Sequence, residues 1–142
     1  MQKLKEMLIE HEGKRNFTYQ DGGAKWHIGI GRNIDADGGI GLSDEECEYL
    51  LDNDIVRFTR ELATAFTWFG RLDEVRQEAL IMICFNLGLT RLRLFIKALD
   101  HLENSRFEES AVEFLDSKWA KQIGHKRSST LAGMIATGQY PG

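Results

Sequence analysis

The chain has one proline and two cysteines in 142 residues, and its longest apolar run, Ala79 to Phe85, is seven residues. A bilayer span needs about 20, so no transmembrane helix is expected. The N-terminus, MQKLKEMLIEHEGK, is amphipathic and broken by charge, without the apolar block and small-residue cleavage site of a secretory signal. Cys47 and Cys84 fall in separate helical patterns with no CxxC or Cys/His cluster nearby, so each reads as a small buried apolar residue rather than half of a disulfide. Sparse proline and a 42% hydrophobic composition exclude collagen and disorder, and 142 residues bury enough surface to fold without staples. The reading is one compact domain.

Strong charge is also lacking. The net charge of −4 argues against a generic nucleic-acid binder, but it hides an asymmetry. Asp44 to Glu61 holds seven acids and two bases, whereas Ser117 to Gly142 holds Lys118, Lys121, Lys126 and Arg127 and no acid. No helix-turn-helix or aromatic-interleaved pattern accompanies the basic stretch, so no nucleic-acid partner is expected.

Leu4, Met7, Leu8 and His11 share one helical face and predict a helix over 3–12, stopped by Gly13. From Phe17 to Gly31 the period falls to two, predicting a hairpin that turns at Asp21-Gly22-Gly23. In its second strand Trp26, Ile28 and Ile30 share the core face, which sends His27 to the other. A glycine-rich loop, 35–41, precedes Ser43-x-x-Glu46, the signature of a capping box. The helix it starts carries Cys47, Leu50, Leu51, Ile55, Phe58 and Leu62 on one face and has no breaker before Phe69, long enough to join two lobes. Helices are predicted over 73–87, 92–104, 107–116, 117–122 and 126–137. The fold class is α+β, mainly helical.

Several polar residues stand where chemistry is possible. Glu12 closes the first helix, where the dipole penalises an ionised carboxylate and so favours a protonated acid. Asp21 opens the hairpin turn, and His27 has no companion Cys or His. Without HExxH or clustered histidines no zinc is expected. Gly29-x-Gly31 lacks the third glycine of a dinucleotide fingerprint, so nucleotide binding is rejected.

Eight residues separate Glu12 from Asp21 and five separate Asp21 from His27, with Ile28-Gly29-Ile30-Gly31 following. Together with Tyr19-x-Asp21, Leu42-Ser43-x-x-Glu46, Leu50-Leu51-x-x-Asp54-Ile55, Arg76-Gln77-x-Ala79-Leu80, Phe85-Asn86-Leu87-Gly88, Ser117-Lys118-Trp119 and Thr137-Gly138, this order resembles the phage lysozyme (endolysin) family of muramidases. The resemblance covers nearly the whole chain. It implies a single lysozyme-like domain over 1–142: a small lobe over about 13–45, a joining helix over about 44–66, and a helical lobe over 67–142 that also takes helix 3–12.

The resemblance implies hydrolysis of the β-1,4 bond between N-acetylmuramic acid and N-acetylglucosamine in bacterial peptidoglycan. Glu12 would be the general acid, Asp21 and His27 would handle water, Phe85, Asn86 and Lys118 would line the sugar groove, and Arg127 would lie beside the glutamate. No cofactor or metal is implied. The expected enzyme is a monomer that stays in the host cytoplasm until lysis, reaches the periplasmic wall through a separate holin, and neither inserts in the membrane nor binds nucleic acid.

Two residues depart from the family's usual pattern. His27 replaces a threonine, and imidazole can act as base or nucleophile, so retention or mixed behaviour through His27, with transglycosylation competing, is expected beside the inverting route. Arg32 replaces a histidine and is expected to pair with Asp54. A non-catalytic wall-binding module is the remaining alternative. The 35–41 loop is short for the family, which trims the small lobe to its hairpin.

Overall fold

The computed structural model describes residues 1–142 as eight α-helices and one three-stranded antiparallel sheet. By backbone contacts the chain divides into two units, Met1–Leu50 and Leu51–Gly142.

The first unit opens with α1, Gln2–Glu12. Gly13, at φ 77°, ends it by returning its N–H to Ile9, the conformation glycine adopts without penalty. Strands β1 (Arg15–Gln20) and β2 (Trp26–Gly29) form the expected hairpin, and a two-residue β3 (Arg32–Asn33) adds an edge too short for a period-two signal. Tyr19 pairs with His27 across β1–β2, and His27 with Asn33 across β2–β3.

The β1–β2 turn falls at Asp21-Gly22-Gly23 as expected, but it closes on an unusual residue. The Ala24 N–H reaches the Asp21 carbonyl at 3.0 Å, and the left-handed residue is Ala24, at φ 61°, rather than either glycine. That is a type I turn closed by a bulge at a position where glycine is usual.

The 35–41 loop is organised by Asp35. Its Oδ2 accepts from Trp26 N–H at 3.0 Å and its Oδ1 from Asp37 N–H at 2.8 Å, while the Asn33 side chain accepts from Asp35 N–H.

The capping box is present in full. Ser43 Oγ accepts from Glu46 N–H at 3.1 Å and Glu46 Oε1 accepts from Ser43 N–H at 2.9 Å. It opens α2, Asp44–Ala65, whose 22 residues span about 33 Å. The helix stops before Phe69 because Trp68 and Phe69 are drawn into the core and a 3-10 turn, Phe69–Arg71, follows.

Arg32 does not reach Asp54. It donates to Glu46 Oε1 at 2.5 Å, and Asp54 instead meets Arg57 at 3.6 Å. Glu46 is already turned back toward Ser43 by the cap, which brings its carboxylate to the arginine. Arg32, the largest influence, and the Ser43 N–H pull the Glu46 carboxyl down to about 2. Cys47 also departs from expectation, lying exposed one residue further on, whereas Cys84 is buried and its thiol is pushed up to about 11 by desolvation.

The second unit holds the core. Helices α3 (Glu74–Leu87), α4 (Leu89–Leu92), α5 (Ile96–Glu103), α6 (Phe107–Leu115), α7 (Lys118–Ile123) and α8 (His125–Thr137) pack around Leu80, Ile83, Leu99, Phe114, Met134 and Ile135. The segment expected as one helix over 92–104 is broken at Phe95, whose ring sits 5.3 Å from Phe114 and 6.3 Å from Trp119. Packing breaks it where no glycine or proline does.

Arg76 ties α3 to the end of α8. Its Nε and Nη2 donate to the carbonyls of Ile135 and Ala136, Nη1 meets Asp73, and its guanidinium lies 3.6 Å over the Phe107 ring. Orphan carbonyls at a helix end are thereby satisfied.

Candidate active site

In the first unit, Glu12 stands at the last position of α1, where the turn between β2 and β3 meets it. Gly31, at φ 70°, comes so close that a methyl group on its Cα would sit 2.6 Å from Glu12 Oε2 and 2.9 Å from its carboxyl carbon. Only glycine fits there without displacing the carboxylate. Gly29, at φ 69°, has the same left-handed backbone with nothing near its missing side chain. The Gly-x-Gly pair therefore shapes a tight turn, and one of its members also seats the glutamate.

At the other end of β2, Asp21 Oδ1 accepts from the N–H groups of Gly23 and Lys25, each at 2.9 Å. The Lys25 hydrogen bond, foremost, and that of Gly23 hold the Asp21 carboxyl below its ordinary range against the opposing effect of burial, so it is ionised at neutral pH. Its second oxygen, Oδ2, faces His27 Nε2 at 3.7 Å. His27 Nδ1 lies 3.0 Å from the Lys25 carbonyl, which can only accept, so Nδ1 carries the proton and Nε2 of the neutral ring offers a lone pair.

His27 is also more sheltered than its strand neighbour. Its side chain is 14% exposed, whereas Trp26, placed by periodicity on the core face, is 46% exposed. Burial does not follow the expected alternation, since Ile30 too is 43% exposed, and Tyr19, whose ring centroid is 5.6 Å away, covers the histidine face. Arg15 in turn lies over the Tyr19 ring at 4.7 Å. Arg15 and Asp35 have no individual place in the sequence reading, and Tyr19 and Gly31 enter it only as parts of the motifs Tyr19-x-Asp21 and Gly29-x-Gly31. For Asp35 a local signal existed, an Asp-x-Asp-Gly loop in which the first aspartate bonds the backbone ahead of it.

In the second unit, Phe85, Asn86 and Arg127 line one cavity of about 1070 Å³, together with Met82, Lys126 and Tyr140. Asn86 Oδ1 accepts from Trp119 Nε1 at 2.9 Å, and Phe85 leans on Phe58 at 5.3 Å. Lys118 does not line that cavity; it is exposed at the start of α7, where Ser117 Oγ caps Ala120 N–H at 3.2 Å.

A mainly helical α+β chain with a carboxylate at the end of its first helix and an ionised aspartate on the adjoining hairpin has a lysozyme-like fold. The family model described as Phage lysozyme matches residues 9–137, and the chain belongs to that family, a class of lysozyme-type hydrolases. Its relatives include "Probable T4-type lysozyme 2" of Dictyostelium discoideum, 29% identical over 95% of this chain and 94% of that protein. The "Endolysin" of Acyrthosiphon pisum secondary endosymbiont phage 1 is 26% identical over 91% of this chain and 85% of the relative.

Proposed function

We propose that the chain is an endolysin that cuts the β-1,4 bond between N-acetylmuramic acid and N-acetylglucosamine in bacterial peptidoglycan during host lysis. The observation that carries this reading is the division of labour along β2, with Glu12 held at the Gly31 end and an ionised Asp21 beside His27 at the other.

Glu12 gives its proton to the glycosidic oxygen as the carbon–oxygen bond breaks. Asp21 Oδ2 and His27 Nε2 are both acceptors, so one water donating to both would have a lone pair free to attack the anomeric carbon from the opposite face. The proton it loses passes to this pair, and the product is inverted.

His27 supports a second reading. If Nε2 itself attacks, the cationic glycosyl-imidazolium is balanced by Asp21 Oδ2 at 3.7 Å, and water or another sugar resolves it with net retention. Proton NMR of the first-formed anomer separates the two, inversion being expected. Mass spectrometry of the muropeptides should show reducing ends; anhydro ends, or no cleavage, would overturn the hydrolase reading. Phe85, Asn86 and Arg127 are assigned to the glycan through their shared cavity, and passage from cytoplasm to wall to a separate holin.

A further inference from the structure

We propose that Tyr19 is a positioning residue for His27, braced by Arg15. The inference rests on the role given to His27 above and concerns how that ring is held.

An imidazole on a strand turns about two side-chain torsions, and only one arrangement leaves Nε2 toward Asp21 with Nδ1–H on the Lys25 carbonyl. One hydrogen bond at 3.0 Å does not fix a plane, because the ring can pivot about it. The second constraint comes from the cross-strand partner. Tyr19 and His27 are paired in the β1–β2 register, their centroids are 5.6 Å apart, and their planes differ by 30°. The tyrosine ring thus walls off one face of the imidazole.

Tyr19 is held from its own other side. Arg15 precedes it on β1, and its guanidinium carbon lies 4.7 Å from the ring centroid, within the range of a cation–π contact. A register shift between Arg15 and Tyr19 interrupts the regular pairing there. Bulges of this kind re-aim side chains. The sequence Arg15, Tyr19, His27, Asp21 is therefore a continuous stack ending on the carboxylate. The charged groups around it are assigned elsewhere or bounded: Lys25 turns its ammonium to Asp37 at 2.6 Å, and Asp35 is occupied by backbone N–H groups.

The ring face acts here, so the hydroxyl should be dispensable. An aromatic pair is worth about 0.5–1.5 kcal/mol, which converts to a roughly 2- to 13-fold loss of the competent ring orientation. Tyr19→Leu should lower kcat on soluble, uncrosslinked glycan strands by about that factor with KM within twofold. Tyr19→Phe should restore it, and Arg15→Gln should give a smaller loss of kcat in the same direction. The independent readout is the long-range proton–nitrogen correlation spectrum of the His27 ring at a pH where it is neutral. A single Nδ1–H form is expected for the native chain and Tyr19→Phe, and a mixture for Tyr19→Leu. A single Nδ1–H form in Tyr19→Leu, or an equal loss of kcat in Tyr19→Phe and Tyr19→Leu, would overturn the proposal. The spectrum needs no turnover, so it decides the matter even if the chain cuts no glycan, which would instead defeat the functional reading. Arg15→Gln leaves both rings in place and supplies the same test should Tyr19→Leu not fold.

Discussion

Replacing Gly31 by alanine separates the cost of a backbone from the cost of a misplaced acid. The residue has φ 70°, and an L-residue there loses about 1–2 kcal/mol relative to glycine, of which roughly 0.4–1 is returned by the stiffer unfolded chain. The net loss is on the order of 1 kcal/mol, a fall of about 3–5 °C in Tm for a chain this long. The new methyl would also lie 2.6 Å from Glu12 Oε2, 2.9 Å from Cδ and 3.1 Å from Cβ. A carboxylate on a flexible stem yields by rotating away, which adds little to the loss of stability. It moves the carboxyl proposed as proton donor, however, and a displacement of about 1 Å in a reacting group costs on the order of 10²-fold in rate. Gly29→Ala is the control, with φ 69° and open space where its methyl would go, so it suffers the same backbone strain without touching Glu12. Thermal denaturation and lysis of peptidoglycan suspensions should show two variants of similar Tm, one active within about threefold of native and one reduced about 10²-fold. Combined with Glu12→Gln, Gly31→Ala should add almost nothing, since the donor is already gone. Equal activity losses in the two glycine variants would refute the reasoning, because strain alone would then account for both.

Glu12→Gln keeps shape and removes the transferable proton, so clearing of cell walls should fall by about 10²- to 10⁴-fold with an unchanged circular dichroism spectrum; native-rate clearing would point to a wall-binding module that uses another residue or none. Ala24→Gly relieves a left-handed alanine at φ 61° and should stabilise the chain by about 0.5–1 kcal/mol, checked by urea denaturation; a lower midpoint would contradict the assignment of strain. Glu46 ionises at about 2 in the folded chain against an ordinary 4.5, so its contribution to stability is whole above pH 4.5 and lost as pH falls toward 2. The gap in Tm between native and Glu46→Gln should therefore close over that window, and a gap that stays constant from pH 6 to 2.5 would argue against the Arg32 pair.

Local signals in the sequence mark the element boundaries well. Gly13, Gly88 and Gly138 end helices where a positive φ is needed, and Ser43 with Glu46 closes a capping box whose parts lie three residues apart. Boundaries decided by distant partners stay hidden. Nothing near Phe95 announces a break; it becomes one because the Phe114 and Trp119 rings lie in wait far along the chain. Arg32 illustrates a third kind of ambiguity. Asp54 and Glu46 are both acids on α2, and the choice between them follows from the cap that already bends Glu46 toward the start of its helix.

The candidate site was legible as residue types and spacing, and much less so as atoms. Eight residues between Glu12 and Asp21 are what the chain needs to leave a helix, cross β1 and reach the hairpin turn, so the spacing encodes a topology before it encodes chemistry. Gly29-x-Gly31 carries almost no information as a pattern, since the same letters occur in nucleotide-binding loops and in ordinary turns. Its meaning depends on what stands opposite, and at Gly31 a carboxylate fills the space a side chain would take, so a larger residue there displaces Glu12. His27 shows the converse limit. Periodicity puts it correctly on the opposite face from Trp26, yet equates that face with solvent, whereas the pairing of Tyr19 with His27 makes it the more sheltered of the two. Which of its nitrogens is free is set by a carbonyl two residues back, and which oxygen of Asp21 remains available is set by two backbone N–H groups in the turn. The hairpin turn thus does more than reverse the chain: by consuming Asp21 Oδ1 and His27 Nδ1 it leaves one acceptor on each, facing the other at 3.7 Å, and the proposed activation of water rests on that pair.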